Sequence, residues 1–398
     1  MLLQINNLLT IAIAILVLLV GIFIQKRVNI LSRFFIPAPV VGGLLFSILV
    51  AVLSYFDYMH INFDASAQQY FMLIFFATIG FAASLRFLFI GGKAVLILFA
   101  CMCLLVILQN SLGVSLAMLL DMPTAFGLVN SSITMIGGHG TGLAFAGTLQ
   151  NDFGLQNAAT ITAAAATVGL IAGSLSGGPV AKFLMRKYKP EVTGAKMDAE
   201  SLKKLQLHKP SKISQEGIFN AVIMIALAIG FGSIFSAWFK SLNIILPDYI
   251  GAMLAAAILR NCSDMTDWYE ISHTELQVLG AISLSIFLSM ALMQMKLLAL
   301  VNLAIPMLVI LLAQVVLMVL FAIFVIYKLL GKSYDAVVMT CGTVGLGMGA
   351  TPNAIANMDA FVAKNRPAPQ AFFVVPIVGS VLIDFFNAGM ITAFLNIF

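Results

Sequence analysis

The chain has 398 residues, 61% hydrophobic and only 9% charged, with a formal net charge of +5 and a mean hydropathy of +1.06. A soluble domain carries about 25% charged residues, so the composition excludes a soluble enzyme and requires an integral membrane protein. Charge in such a chain reports topology, not affinity for nucleic acid, and no nucleic-acid partner is expected.

Long apolar runs, rather than alternating ten-residue segments, predict helices and exclude an outer-membrane barrel. A span needs about 20 apolar residues. Spans are predicted over 7–25, 36–55, 69–90, 94–119 and 157–185, then over 216–239, 246–260, 276–294, 300–328 and 370–396. The opening MLLQINN lacks a positive leader, so the first apolar run is expected to stay as an uncleaved helix. Segments 123–149 and 334–358 are too glycine-rich and interrupted for simple spans, and each is expected to fold as a re-entrant hairpin. Residues 186–215 form the one hydrophilic stretch and are expected to link two halves, 1–185 and 216–398.

Charge tests this layout. With the N-terminus outside, 19 of the 21 Lys and Arg residues fall inside, and only Lys240 and Lys296 fall outside. Basic residues concentrate on the cytoplasmic side of a membrane protein, which puts the 186–215 loop in the cytoplasm. A full span at either hairpin would move every later loop to the opposite side.

The two halves resemble each other. IPAPVVGGLLFSIL (36–49) matches LPDYIGAMLAAAIL (246–259), and GHGT (138–141) matches GMGAT (347–351). Each half carries four spans, a hairpin and a fifth span, so the second copy is inverted. The expected fold is an all-α membrane protein of two inverted-topology repeats, each of five transmembrane helices with a re-entrant hairpin before the last. Paired interruptions in inverted repeats mark secondary transporters, with the binding site where the breaks meet.

The stretch SITMIGGHGTG (132–142) holds four glycines within an oily chain. Irregular backbone at membrane depth survives only against protein or a water-filled cavity. Glycine lets a ligand approach the chain, while exposed N–H groups at a helix start attract anions. Ser131, Ser132, Thr134, Gly137, Gly138, His139, Gly140 and Thr141 are the substrate-binding candidates of the first hairpin. Gly347, Gly349, Thr351 and Asn353 are those of the second. Asp384, in the middle of the last span, costs roughly 2.5–3.5 kcal/mol to insert, and such a residue usually serves function. Asp384, Asn387, Asn357 and Thr351 are the candidate Na⁺ ligands, since hard cations take oxygen donors. Gly169, Gly173 and Gly177 have the spacing of a helix-packing face. Gln109–Asn110 and Thr78 fit packing or a site equally well, as does His139 as a proton shuttle or a neutral loop residue. The hydrolase signatures H-E-x-x-H and G-x-S-x-G are absent from the chain, and no enzyme activity or cofactor is expected.

GGHGTG (137–142) and GLGMGATPNAIANM (345–358) resemble the glutamate:sodium symporters of bacteria. FFATIG (75–80), the Gln109–Asn110 pair, SLSGGPVAK (174–182), ISLSIFLSMALM (282–293) and VVPIVGS (374–380) fit the same family. The resemblance covers the whole chain and departs from the family pattern at Asn130 and Ile136. It implies Na⁺-coupled uptake of L-glutamate across the bacterial inner membrane by a homodimer, one domain moving against a scaffold like an elevator. It also implies pore-loop roles for Gly137–Thr141 and Gly345–Pro352. The residues alone leave open a proton-coupled amino-acid or dicarboxylate symporter, with His139 as relay, and a channel or facilitator.

Overall fold

The computed structural model describes residues 2–84, 92–190, 213–242, 244–266 and 273–397. The centre of the linker and the end of the predicted third span therefore lie outside the described residues.

Helix dominates the described residues. The one exception is a parallel ladder, which the all-α expectation missed, between Leu2–Ile5 (β1) and His60–Phe63 (β2). It ties the start of the chain to the segment after the second span. Asn6 then caps the first helix, its Oδ1 accepting the Leu9 N–H at 3.0 Å.

The first half runs α1 (Asn7–Arg27), α2 (Ala38–Tyr55), α3 (Gln68–Ala82) and α4 (Gly92–Leu119). The short α5 (Thr124–Leu128) and α6 (Gly138–Asn151) flank an interruption, and α7 (Ala158–Tyr188) closes the half. The second half runs α8 (Gln215–Ser241), α9 (Asp248–Thr266), α10 (His273–Leu292) and α11 (Ala304–Phe321). There α12 (Tyr334–Gly347) and α13 (Thr351–Val362) flank the interruption. The last crossing is α14 (Pro369–Ile377) and α15 (Ile383–Ile397), joined by a widened turn at Val378–Leu382.

Among the described residues, eight helices are long and apolar enough to cross a membrane. Two of the ten predicted spans, on α3 and α9, do not meet that standard. The helix α3 ends at Ala82, and α9 carries the Arg260–Asp264 ion pair at 3.0 Å. Both helices pack between neighbours, α3 against α9 and α10, and α9 also against α8. Phe76 on α3 and Tyr249 on α9 are buried and stack with ring centroids 3.8 Å apart. Lipid-suited surface lies elsewhere, on Leu16 and Leu19 of α1, Phe231 and Trp238 of α8, and Leu308 and Leu312 of α11, all exposed.

The helices sort into two bundles. One packs α1, α2 and α3 with α8, α9 and α10; the other packs α4–α7 with α11–α15. Each bundle draws the same ordinal elements from both halves. In the first, α1 crosses α2 at Gly21 and Gly42, and α8 crosses α9 at Gly232 and Gly251. A Cβ at any of these four would stand within 2.4 Å of the partner helix backbone, so small residues set both crossings.

Candidate functional site

Each half places its interruption in the second bundle. In the first, helical geometry fails at Asn130 (φ −85°, ψ 19°) and Ser131 (φ −124°, ψ −139°). The Ser131 hydroxyl donates to Gly127 O at 2.7 Å and that of Thr134 to Val129 O at 2.6 Å. Short hydroxyl side chains thus take up carbonyls that the broken helix leaves free. The chain turns through Gly138 at φ +59°, a conformation that glycine reaches without strain. In the second interruption α12 ends at Gly347, Ala350 is extended (φ −171°), and α13 starts at Thr351 with Pro352 in its first turn.

The two interruptions touch. A Cβ on Gly138 would stand 2.9 Å from the Gly349 carbonyl oxygen. Beside this contact lies a cavity of about 370 Å³, lined by residues 136–141 of the first break and 349–353 of the second. Gly379, Ser380 and Asp384 of the last crossing complete that side. The opposite wall comes from the other bundle: Phe75 and Ile79 on α3, Leu284 and Leu288 on α10. Asp384 and His139 are the ionisable side chains of the lining.

Two helix starts open into the cavity, those of α6 and α13. Neither has a side-chain cap. The leading N–H groups of a helix lack intrahelical acceptors and carry its positive end. The cavity therefore offers anion-binding N–H groups from both halves, one carboxylate, the Thr141, Thr351 and Ser380 hydroxyls, and a half-apolar floor. A zwitterion with excess negative charge suits that set.

Of the predicted substrate residues, Gly137, Gly138, His139, Gly140, Thr141, Gly349, Thr351 and Asn353 line the cavity. Ser131, Ser132, Thr134 and Gly347 do not. They lie behind it, where Ser132 N–H and Oγ–H both donate to Asn110 Oδ1, at 3.2 and 2.7 Å. Gly347 O accepts Gln109 Nε2–H at 2.9 Å. His139 is also held on α7: Thr167 gives its proton to Ala163 O, so its Oγ1 accepts from His139 Nε2–H at 3.0 Å.

The predicted Na⁺ ligands also divide. Asp384 and Thr351 face the cavity. Asn387 grips the first break from behind, donating to Ser132 O at 3.1 Å. Asn357 lies against α7 and donates to Gly173 O at 3.0 Å. The α7 glycines are the surface on which the second interruption rests: Gly169 faces Met348, Gly173 faces Asn353, and Gly177 faces Asn357.

Gln314 and the four apolar wall residues were missing from the predicted site. Gln314 is fully buried on α11 and bonds the Gln109 carbonyl and Ser131 Oγ at 2.8 and 2.9 Å. Its signal was available, as the lone amide in AIPMLVILLAQVVLMVLF.

Similar proteins bear on this arrangement. The model of the family described as sodium/glutamate symporter matches residues 3–367. The sodium/glutamate symporter of Haemophilus influenzae is 38% identical over 384 residues, covering 96% of this chain and 95% of the relative. That of Escherichia coli is 38% identical over 395 residues, covering 98% of each. A sodium proton antiporter of Methanocaldococcus jannaschii aligns over 98% of this chain and 95% of its own. Its TM-score of 0.43 and 15% identity are too distant to bear on fold or function. The members of this family are transporters, not enzymes. Matched along nearly its whole length by the family model and by both relatives, the chain belongs to the sodium/glutamate symporter family.

Proposed function

We propose that the chain carries L-glutamate inward with Na⁺; its relatives are named sodium/glutamate symporters. The observation that carries this reading is the cavity where both interruptions meet, with two uncapped helix starts and one carboxylate on its wall. Glutamate brings two carboxylates and one ammonium. The helix starts hold the carboxylates through N–H groups of Gly138–Gly140 and of Thr351 and Asn353, with the Thr141 hydroxyl assisting. Asp384 holds the positive charge, either the ammonium or a coupling Na⁺.

The finer architecture belongs to the same proposal. The chain crosses the inner membrane ten times as two inverted repeats, with N-terminus outside, linker 186–215 inside, and re-entrant hairpins 123–149 and 334–358. The sorting of corresponding elements into common bundles supports the repeat, and the basic residues support the orientation. The bundle bearing both breaks slides against the other as an elevator, because the cavity lies on their boundary. Assembly as a homodimer is supported by the family resemblance alone.

Binding tests the reading. Purified protein should retain labelled L-glutamate in Na⁺ and lose it when K⁺ replaces Na⁺. Equal retention in both salts would remove Na⁺ coupling; no retention in either would remove glutamate.

A further inference from the structure

Behind the cavity, where the breaks pass α4, α11 and α15, the interior holds a second polar cluster that the substrate reading does not use. Its members Gln109, Asn130, Gln314 and Asn387 are at most 1% exposed. In each, the amide N–H₂ donates to a main-chain carbonyl: Gln109 to Gly347 O, Asn130 to Phe126 O, Gln314 to Gln109 O, Asn387 to Ser132 O. A carbonyl accepts only, so these bonds dictate which way each amide points. Its oxygen is then left over. The structure gives Gln109 Oε1, Asn130 Oδ1, Gln314 Oε1 and Asn387 Oδ1 no hydrogen-bond partner, and all four are buried.

An orphaned buried polar atom costs roughly 1–3 kcal/mol, so four in one cluster call for a partner. Asn110 Nδ2, next to Gln109 in the chain, is also without a partner, as are the hydroxyls of Thr392 on α15, Tyr249 and Ser289. The two Asn110 protons answer at most two of the four oxygens. A bound cation would take several of these oxygens at once. Among the described residues no group of three or more His, Cys, Asp or Glu gathers anywhere, and this cluster contains no carboxylate. Neutral amide oxygens suit a monovalent hard cation; a divalent ion would enter without counter-charge and pay a far larger desolvation cost.

We infer that Gln109, Asn130, Gln314 and Asn387 form a dehydrated Na⁺ site of neutral oxygens, separate from Asp384 and wedged against both interruptions. This rests on the Na⁺-coupled reading above and deepens it. The site ties ion binding to the shape of the substrate cavity through hydrogen bonds already present. The amides that would hold the ion also hold Gly347 O and Ser132 O, the backbone of the two breaks. Filling the site fixes the breaks in the form that presents their helix starts to the substrate.

The test is thermal unfolding of the purified full chain without glutamate, titrated with NaCl against KCl at constant ionic strength. The wild type should show a midpoint rise specific to Na⁺. Gln314→Leu removes one oxygen and should weaken half-saturation about tenfold or more. Gln314→Glu keeps an oxygen and adds charge, and should bring half-saturation to lower Na⁺. A packing role predicts neither change, since it has no ion to lose or gain. If Gln314→Leu fails to fold, Gln314→Glu decides alone, and an unchanged half-saturation there overturns the site. So does a wild type with no Na⁺-specific shift, which is the behaviour of a cluster satisfied by water. A shift abolished by Asp384→Asn and untouched by both Gln314 variants would place the ion in the cavity and equally overturn it. Na⁺-driven glutamate uptake without the shift would leave symport standing and remove only this site. The shift and its variant pattern without uptake would keep the site and remove glutamate coupling.

Discussion

At the scale of single residues, Asp384 and His139 are the ionisable groups of the cavity and they behave differently. Asp384 faces the opening, so its carboxyl group is open to a ligand. Asp384→Asn keeps the shape and removes the charge. Loss of a charge-assisted bond is worth about 1.5–3 kcal/mol, roughly 10- to 100-fold. If Asp384 holds the ammonium, that loss raises KM for glutamate at saturating Na⁺. If it holds Na⁺, the loss raises the half-saturating Na⁺ instead. Uptake kinetics with both values unchanged would take Asp384 out of the site. His139 is already committed as a hydrogen-bond donor to Thr167. That bond steadies the start of α6 and needs no change of protonation, which is an argument against a proton-relay role.

At the scale of elements, the breaks depend on backbone that side chains would obstruct. Gly138 has φ +59° and sits against Gly349 O. Gly138→Ala therefore meets both a left-handed conformation, costing roughly 1–2 kcal/mol, and a contact that the opposing break cannot yield. Gly147 lies further along α6 with open space where its Cβ would go, so Gly147→Ala is the matched control and should gain slightly in stability. Glutamate affinity and unfolding midpoint should fall in the first variant only. Equal behaviour of the pair would mean that the meeting of the breaks is not needed for binding.

Both interruptions were legible in the sequence because glycine, proline and hydroxyl residues stand out against an apolar chain. Their predicted limits, 123–149 and 334–358, fall close to the α5–α6 and α12–α13 segments. Asp384 was legible for the same reason. Phe75, Ile79, Leu284 and Leu288 were not, because in a membrane helix an apolar residue reads alike whether it faces lipid or a cavity. The role of Asn357 was hidden too, since its partner Gly173 O lies 184 positions away in the chain. The β1–β2 ladder joins segments far apart in sequence, and four residues each make too short a pattern to announce themselves.

At the scale of the molecule, the cavity has one wall in each bundle. The wall bearing the breaks holds the polar groups and Asp384; the other, from α3 and α10, is apolar. An apolar wall forms no directional bonds to a substrate, which suits the proposed elevator cycle, in which a different stretch of the same bundle would take its place. Each net positive charge brought inward with the substrate gains roughly 2.3 kcal/mol per 100 mV of membrane potential. With one Na⁺ per glutamate anion no net charge would move; with more than one, the driving force would be electrical as well as chemical.

The most direct measurement is accumulation of labelled L-glutamate by liposomes containing the purified protein, under an inward Na⁺ gradient, an equal K⁺ gradient, or a pH gradient alone. Accumulation above equilibrium with Na⁺ only is the predicted result. Equilibration without accumulation would make the cavity a channel or facilitator pore, and accumulation driven by pH alone would transfer the coupling to protons and restore His139 as a relay; either contradicts the Na⁺-coupled carrier.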